Sequence, residues 1–158
     1  YTPPSQEIRD LVAAMKLIPI KEVICGNRII LCEDSIVRGT QLKNYTIKKL
    51  WECGAKEVHV RPACPPLMFP CRFALSTRSV DELAARKAIL ALEGKHIEDV
   101  REYIDHRSKK YQAMVEWIQK ELGVTTLKYQ EIEDMVNAIG LPAEKLCLYC
   151  WIGDYSIP

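Results

Sequence analysis

The chain has 158 residues, 22 Lys and Arg against 21 Asp and Glu, a formal net charge of +1 and 48% hydrophobic residues. That apolar fraction excludes a disordered chain, and the length suits one domain with a sizeable core. The near-neutral charge leaves no footprint for broad nucleic-acid binding, no run of about 18 uncharged apolar residues offers a membrane span, and the N-terminus is no signal peptide.

In chain order, Ser5 caps a predicted helix running to about Met15, with Ile8, Leu11, Val12 and Met15 at i, i+3, i+4 and i+7. Pro19 interrupts, and Cys25-Gly26-Asn27 reads as a turn. Ile29-Ile30-Leu31-Cys32 is a short apolar run between a turn and two acids, expected to be a buried strand of a parallel sheet. A helix is expected from about Gln41 to Cys53, stopped by Gly54. Glu57 to Arg61 alternates, with Val58 and Val60 on one face, and reads as a second strand of a βαβ unit. Pro65, Pro66 and Pro70 then break regular structure.

Ser79-Val80-Asp81-Glu82 has the form of a capping box opening a helix to about Leu92. A shorter helical piece is expected near Ile97 to Ile104. Tyr111, Met114, Val115, Ile118 and Leu122 mark an amphipathic helix ending at Gly123. Leu127 to Tyr129 is expected as a last short strand, and Ile132, Met135, Val136 and Ile139 as a final helix ending at Gly140. The fold class is α/β in the first third and mostly helical thereafter. The expected organisation is an α/β core over residues 1–75 and a helical region over 76–158 with a Cys-x-x-Cys tail.

The seven cysteines are Cys25, Cys32, Cys53, Cys64, Cys71, Cys147 and Cys150. An odd count in a helix-rich chain argues against a secreted disulfide scaffold and for a reducing, cytoplasmic setting. Cys25, Cys32 and Cys53 are expected to be packing residues. The Cys147-x-x-Cys150 spacing lets two thiolates grip one metal centre, and a redox pair is the competing reading.

The chemistry concentrates in Glu33-Asp34-Ser35-Ile36-Val37-Arg38-Gly39-Thr40. A strand ends in two carboxylates, then a loop carries a hydroxyl at each end and a glycine, and a helix follows. Backbone N–H groups at such a helix start attract phosphate, Ser35 and Thr40 add hydroxyl donors, Arg38 adds charge and Gly39 permits close approach. The carboxylates suit a vicinal diol or hydrated Mg²⁺. Diol-binding acids beside a phosphate cradle imply a ribose 5-phosphate. No Gly-Lys-Ser/Thr occurs, so this is not a Walker loop. His59 reads as structural, His96 and His106 as solvated, and Trp51, Trp117 and Trp151 as core or interface residues.

This octapeptide resembles the phosphoribosyl pyrophosphate (PRPP) signature of type I phosphoribosyltransferases. With Gly54-Ala55-Lys56-Glu57-Val58-His59-Val60-Arg61, Cys64-Pro65-Pro66, Pro70-Cys71 and Met15-Lys16-Leu17, it is similar to the amidophosphoribosyltransferase family in particular. The resemblance is dense from Ser5 to Phe73, thins through the helices, and returns at Gly140-Leu141-Pro142 and the final Cys-x-x-Cys.

It implies a glycosyltransferase of purine biosynthesis, in which ammonia from glutamine displaces pyrophosphate from PRPP to give 5-phosphoribosylamine. Ser35 to Thr40 would then hold the 5-phosphate. Glu33 and Asp34 would hold the ribose and Mg²⁺, although the family usually has Asp where this chain has Glu33. Lys16 is a further candidate for a phosphate contact. Cys71, Cys147 and Cys150 match three ligands of a [4Fe–4S] cluster whose fourth ligand lies upstream. Zinc, with Cys64 as fourth ligand, is the alternative.

The resemblance also implies purine nucleotide feedback inhibitors, a homo-oligomer, and a glutaminase domain that this sequence lacks. The chain is therefore expected to be a C-terminal part, inactive alone. Two rivals stand beside it: a non-catalytic PRPP- or nucleotide-binding regulator, and a small iron–sulfur or zinc module.

Overall fold

The computed structural model describes residues 18–73, 77 and 79–156. The helix expected over residues 5–15, and Lys16, lie outside the described residues. The first elements are α1 (Lys21–Ile24), β1 (Arg28–Glu33), a π-helical stretch (Leu42–Ile47) continuing into α2 (Lys48–Glu52), and β2 (Glu57–Pro62). Then come α3 (Ala84–Glu93), α4 (Arg101–Ile104), α5 (Lys109–Leu122), β3 (Thr126–Leu127), α6 (Ile132–Ile139) and α7 (Tyr149–Ile152).

The three strands form a parallel sheet in the order β1-β2-β3. Arg28 registers with Glu57 and Glu33 with Pro62, while His59 registers with Thr126. Alternation along each strand sorts the side chains onto two faces. One face, with Ile29, Leu31, Val58, Val60 and Leu127, meets the core. The other carries Ile30, Glu57, His59, Arg61 and Thr126. There His59 bridges the Glu57 carboxylate and the Thr126 hydroxyl at 2.9 Å each, and Arg61 donates to Thr126 at 3.1 Å.

The expectation of a buried β1 is therefore corrected. Among the described residues β1 pairs on one side only, its residues alternate between exposed and half-buried, and Ile30 is 68% exposed. A continuous apolar run signals burial on both faces only where both faces are covered.

The helices follow local sequence. Ser108 accepts the Tyr111 N–H at the start of α5, and Gly123, at φ 68°, ends it. Met114, Ile118 and Leu122 fall on its buried face, opposite the small residues Ala84, Ala85 and Ala88 of α3. Gln119 of α5 steers the chain into β3, donating to Thr125 O (3.1 Å) and accepting the Leu127 N–H (3.2 Å).

The capping box needs correction as well. Ser79 accepts the Asp81 N–H, but it caps a 3₁₀ turn over Val80–Glu82. Leu83 is extended, and α3 begins only at Ala84, whose N–H bonds Val37 O. Leu83 is fully buried, so packing of that apolar side chain outweighs continuation of the helix.

A main cluster joins the sheet to α3 and α5 and reaches Tyr129. A second, smaller cluster holds Cys64, Ile132, Met135, Leu148 and Ile152. Cys25 and Cys32 are exposed and Cys53 is half-buried, so the first two are not packing residues: one lies in a turn and the other on the open face of β1. No helix among the described residues is long and apolar enough to cross a membrane.

Candidate functional site

Glu33 closes β1, and its carbonyl accepts the Ala63 N–H at 2.8 Å, so the ladder with β2 runs one residue past the strand. Its side chain folds back over the turn and accepts the Asp34 N–H at 3.3 Å; Ser35 Oγ donates to Asp34 Oδ1 at 3.1 Å. Glu33 is half-buried while Asp34 is exposed. Burial raises the Glu33 carboxyl above its ordinary value; the Asp34 N–H pulls it back down, and the Asp34 charge raises it again. The two acids therefore differ, one partly desolvated and one in water.

Ile36, 3% exposed, plugs the loop into the core, and Val37 O binds the first N–H of α3. Arg38 turns outward to pair with Glu82. Gly39 sits at φ 75°, in the left-handed region that favours glycine; a Cβ there would lie 3.4 Å from Leu122 Cδ2 and 3.7 Å from Ile36 Cγ2. Among the described residues the N–H groups of Ser35 to Gly39 meet no acceptor. Unpaired donors in a loop leading into a helix are the chemistry that an anion needs. A cleft of about 270 Å³ opens beside the loop, lined by Arg38, Gly39, Thr40, Lys43, Lys87 and Trp117 among others.

Cys71, Cys147 and Cys150 lie apart from this loop in sequence. Cys150 is half-buried, and its thiol is pushed up first by burial and then by Cys71 and Cys147, with Cys71 within hydrogen-bonding reach. The structure thus brings Cys150 to Cys71 and keeps Cys147 nearby. Among the described residues no three His, Cys, Asp or Glu side chains converge closely enough to hold a metal. The donor chemistry of these thiols fits a soft metal or an iron–sulfur cluster, with only part of a ligand set present.

The tail is fixed to the segment after β2. Met68 and Phe69 donate to Cys150 O at 2.8 and 3.0 Å, Arg72 pairs with Asp154 and stacks 3.8 Å over the Tyr149 ring, and Cys71 N–H binds Thr77 Oγ1.

The remaining single residues find ordinary partners. Trp51 donates to Gly123 O at 3.0 Å, His96 faces Asp81 and His106 faces Glu131 at the surface. Sequence reasoning missed that Trp151 packs against the cluster holding Cys64 and that its buried indole N–H has no hydrogen-bond partner among the described residues. Its only sequence signal is a polar-tipped indole next to a cysteine motif, which does not name a partner.

No protein-family model matches the chain. It is 37% identical over 157 residues to the amidophosphoribosyltransferase of Mycobacterium leprae, covering 99% of this chain and 24% of that protein. It is 33% identical over 155 residues to that of Methanothermobacter thermautotrophicus and 31% identical over 157 residues to the chloroplastic amidophosphoribosyltransferase 2 of Arabidopsis thaliana. It covers 27% and 23% of those two proteins. Among solved structures, the glutamine PRPP amidotransferase from B. subtilis, complexed with ADP and GMP, matches with a TM-score of 0.61 and 27% identity, over 100% of this chain and 30% of that one. The chain is homologous to amidophosphoribosyltransferases, shares their α/β architecture, and spans about a quarter of the length of the curated relatives it matches.

Proposed function

From that homology we propose that the chain is the PRPP-holding part of an amidophosphoribosyltransferase, acting in purine biosynthesis as a glycosyltransferase within a longer protein. The observation that carries the reading is the loop between β1 and the following helix: two unequal carboxylates at a strand end, then free N–H groups from Ser35 to Gly39, in a chain homologous to these enzymes. Ser35 to Thr40 would hold the 5-phosphate, and Glu33 and Asp34 the ribose hydroxyls and a bound Mg²⁺.

As pyrophosphate leaves, C1 becomes cationic, and ammonia released from glutamine by a separate domain attacks it. The residues of this chain contribute positioning: the loop fixes the phosphate end while Asp34 fixes the ring. Mg²⁺, when bound, neutralises charge on the departing pyrophosphate.

Cys71, Cys147 and Cys150 would supply three ligands to a [4Fe–4S] cluster of structural role. Here residues 1–75 form the later half of the phosphoribosyltransferase core and 76–158 the helical region. The setting is the cytoplasm, the assembly a homo-oligomer, and purine nucleotides are the feedback ligands; the complex of the B. subtilis relative with ADP and GMP supports the last point.

The test is calorimetric titration of the full-length protein with PRPP and Mg²⁺, together with an ammonia-dependent assay. Saturable Mg²⁺-dependent binding and release of phosphoribosylamine are expected; binding without turnover would favour a regulator. The 158 residues alone are expected to release no product.

A further inference from the structure

α3 starts without a side-chain cap. Leu83, the residue before it, is fully buried and extended, at φ −74° and ψ 128°. The first N–H groups of a helix need acceptors from elsewhere. For Ala84 that acceptor is Val37 O of the candidate phosphate loop, at 2.8 Å. Two residues earlier Glu82, the last residue of the 3₁₀ turn that Ser79 caps, pairs with the side chain of Arg38. Adjacent loop residues are thus held by one short stretch of chain, one through its carbonyl and the next through its side chain.

The peptide plane turns this anchoring into a direction. The Val37–Arg38 peptide is trans, so its C=O and N–H point opposite ways. With Val37 O turned toward α3, the Arg38 N–H is turned away from it. Among the described residues that N–H meets no acceptor. It is one of the unpaired donors from Ser35 to Gly39, and it stands next to the left-handed Gly39. The Arg38 side chain, held at Glu82, keeps the plane from rotating.

We propose that Glu82 and the Ala84 N–H are positioning groups that aim the Arg38 N–H at the 5-phosphate, on the reading that the loop holds that group. Both act through the loop and neither touches the ligand. A loop whose donors are already aimed gives up less conformational freedom on binding. For Glu82, charge alone predicts the opposite sign. A carboxylate near a phosphate repels it, so its removal by that route would tighten binding. A weakening therefore reports positioning. The extended Leu83 gains a role beyond packing: in a helix begun at Val80, the Ala84 N–H would bond Val80 O, four residues back, and be lost to the loop.

The experiment uses the full-length protein and reads the Kd for PRPP in saturating Mg²⁺, KM against kcat, and the thermal midpoint. Glu82→Gln removes the charge at nearly constant size. Ala84→Pro removes the N–H at the first helical position, where proline is accepted, after a residue that is already extended. The Kd is expected to weaken about three- to fivefold for Glu82→Gln and about three- to tenfold for Ala84→Pro. KM should rise in step while kcat stays unchanged. In an Arg38→Gln background, Glu82→Gln should add no further loss. An unchanged or tighter Kd in either variant, with or without a lower thermal midpoint, would overturn the proposal. So would a full Glu82→Gln effect in the Arg38→Gln background. If the parent protein does not bind Mg²⁺–PRPP, the reading of the loop as phosphate holder falls, and this inference with it.

Discussion

The loop after β1 and the tail around α7 are built by opposite means. The loop takes its shape mostly from local devices, a strand end, an apolar plug at Ile36 and a left-handed Gly39, with Val37 O on the Ala84 N–H and Arg38 on Glu82 as its ties to the rest of the chain. The tail has little structure of its own. It is held by what it meets: Met68 and Phe69 N–H groups at Cys150 O, the Phe69 ring beneath Gly153, and Arg72 between Tyr149 and Asp154. A local device can spend its unpaired groups on a ligand, whereas a segment made of long-range contacts must use its groups on the fold. Substitutions in the tail should therefore move stability first, and substitutions in the loop should move binding first.

The largest effect is expected at Gly153→Ala. The backbone there has φ 63° and ψ −131°, and the new Cβ would fall 2.8 Å from Phe69 Cε2, on a ring flanked by Tyr149 and Tyr155. Backbone strain and overpacking together should cost about 2–4 kcal/mol in denaturant unfolding. A loss under about 1 kcal/mol would mean that the tail gives way freely, and the contrast with the loop would collapse.

Next is Asp34→Asn, which keeps the acceptor for Ser35 and removes the charge. Affinity for Mg²⁺–PRPP should fall about 10- to 100-fold, the worth of a charged contact, while unfolding free energy stays within about 0.5 kcal/mol. The opposite pattern, lost stability with intact binding, would make Asp34 a structural residue. Gly39→Ala should show a mixed result. The left-handed backbone costs an alanine about 1–2 kcal/mol, while its Cβ would meet Leu122 at an ordinary 3.4 Å, so the strain falls on the loop backbone and stability and affinity should fall together.

Much of the local half was legible in the sequence. β1, β2 and the glycine-terminated helices α5 and α6 follow from apolar periodicity and stop signals that lie within each segment. What was not legible depends on partners far along the chain. The exposure of Ile30 is set by what lies on the open face of the sheet, which no local pattern records. The 3₁₀ turn at Val80–Glu82 replaces a helix start because Leu83 is drawn into the core. The packing of Trp151 against the cluster that holds Cys64 joins the tail to the segment after β2, and neither residue announces the other. At the loop, sequence chemistry named the residues, and the structure added that Arg38 is committed to Glu82 and that the empty side of Gly39 faces Leu122.

The smallest effect is a slope with pH, and it tests whether the two acids are as unequal as their burial suggests. Burial lifts the Glu33 carboxyl above its ordinary value in the folded chain. The folded state then holds its proton more tightly than the unfolded state does. Between the unfolded and folded values the folded chain carries more bound protons, so stability falls as pH rises through that window. Glu33→Gln stays neutral throughout and should remove this part of the slope. Compared at equal pH, the variant should gain on the parent as pH climbs from below 4.5, and the gain should level off once Glu33 is ionised in both states. Parallel curves for the two proteins across that range would show that Glu33 is as well solvated as Asp34. Addition of Mg²⁺ should shrink the difference, because an ion held between the carboxylates favours the charged form and pulls the Glu33 value back down.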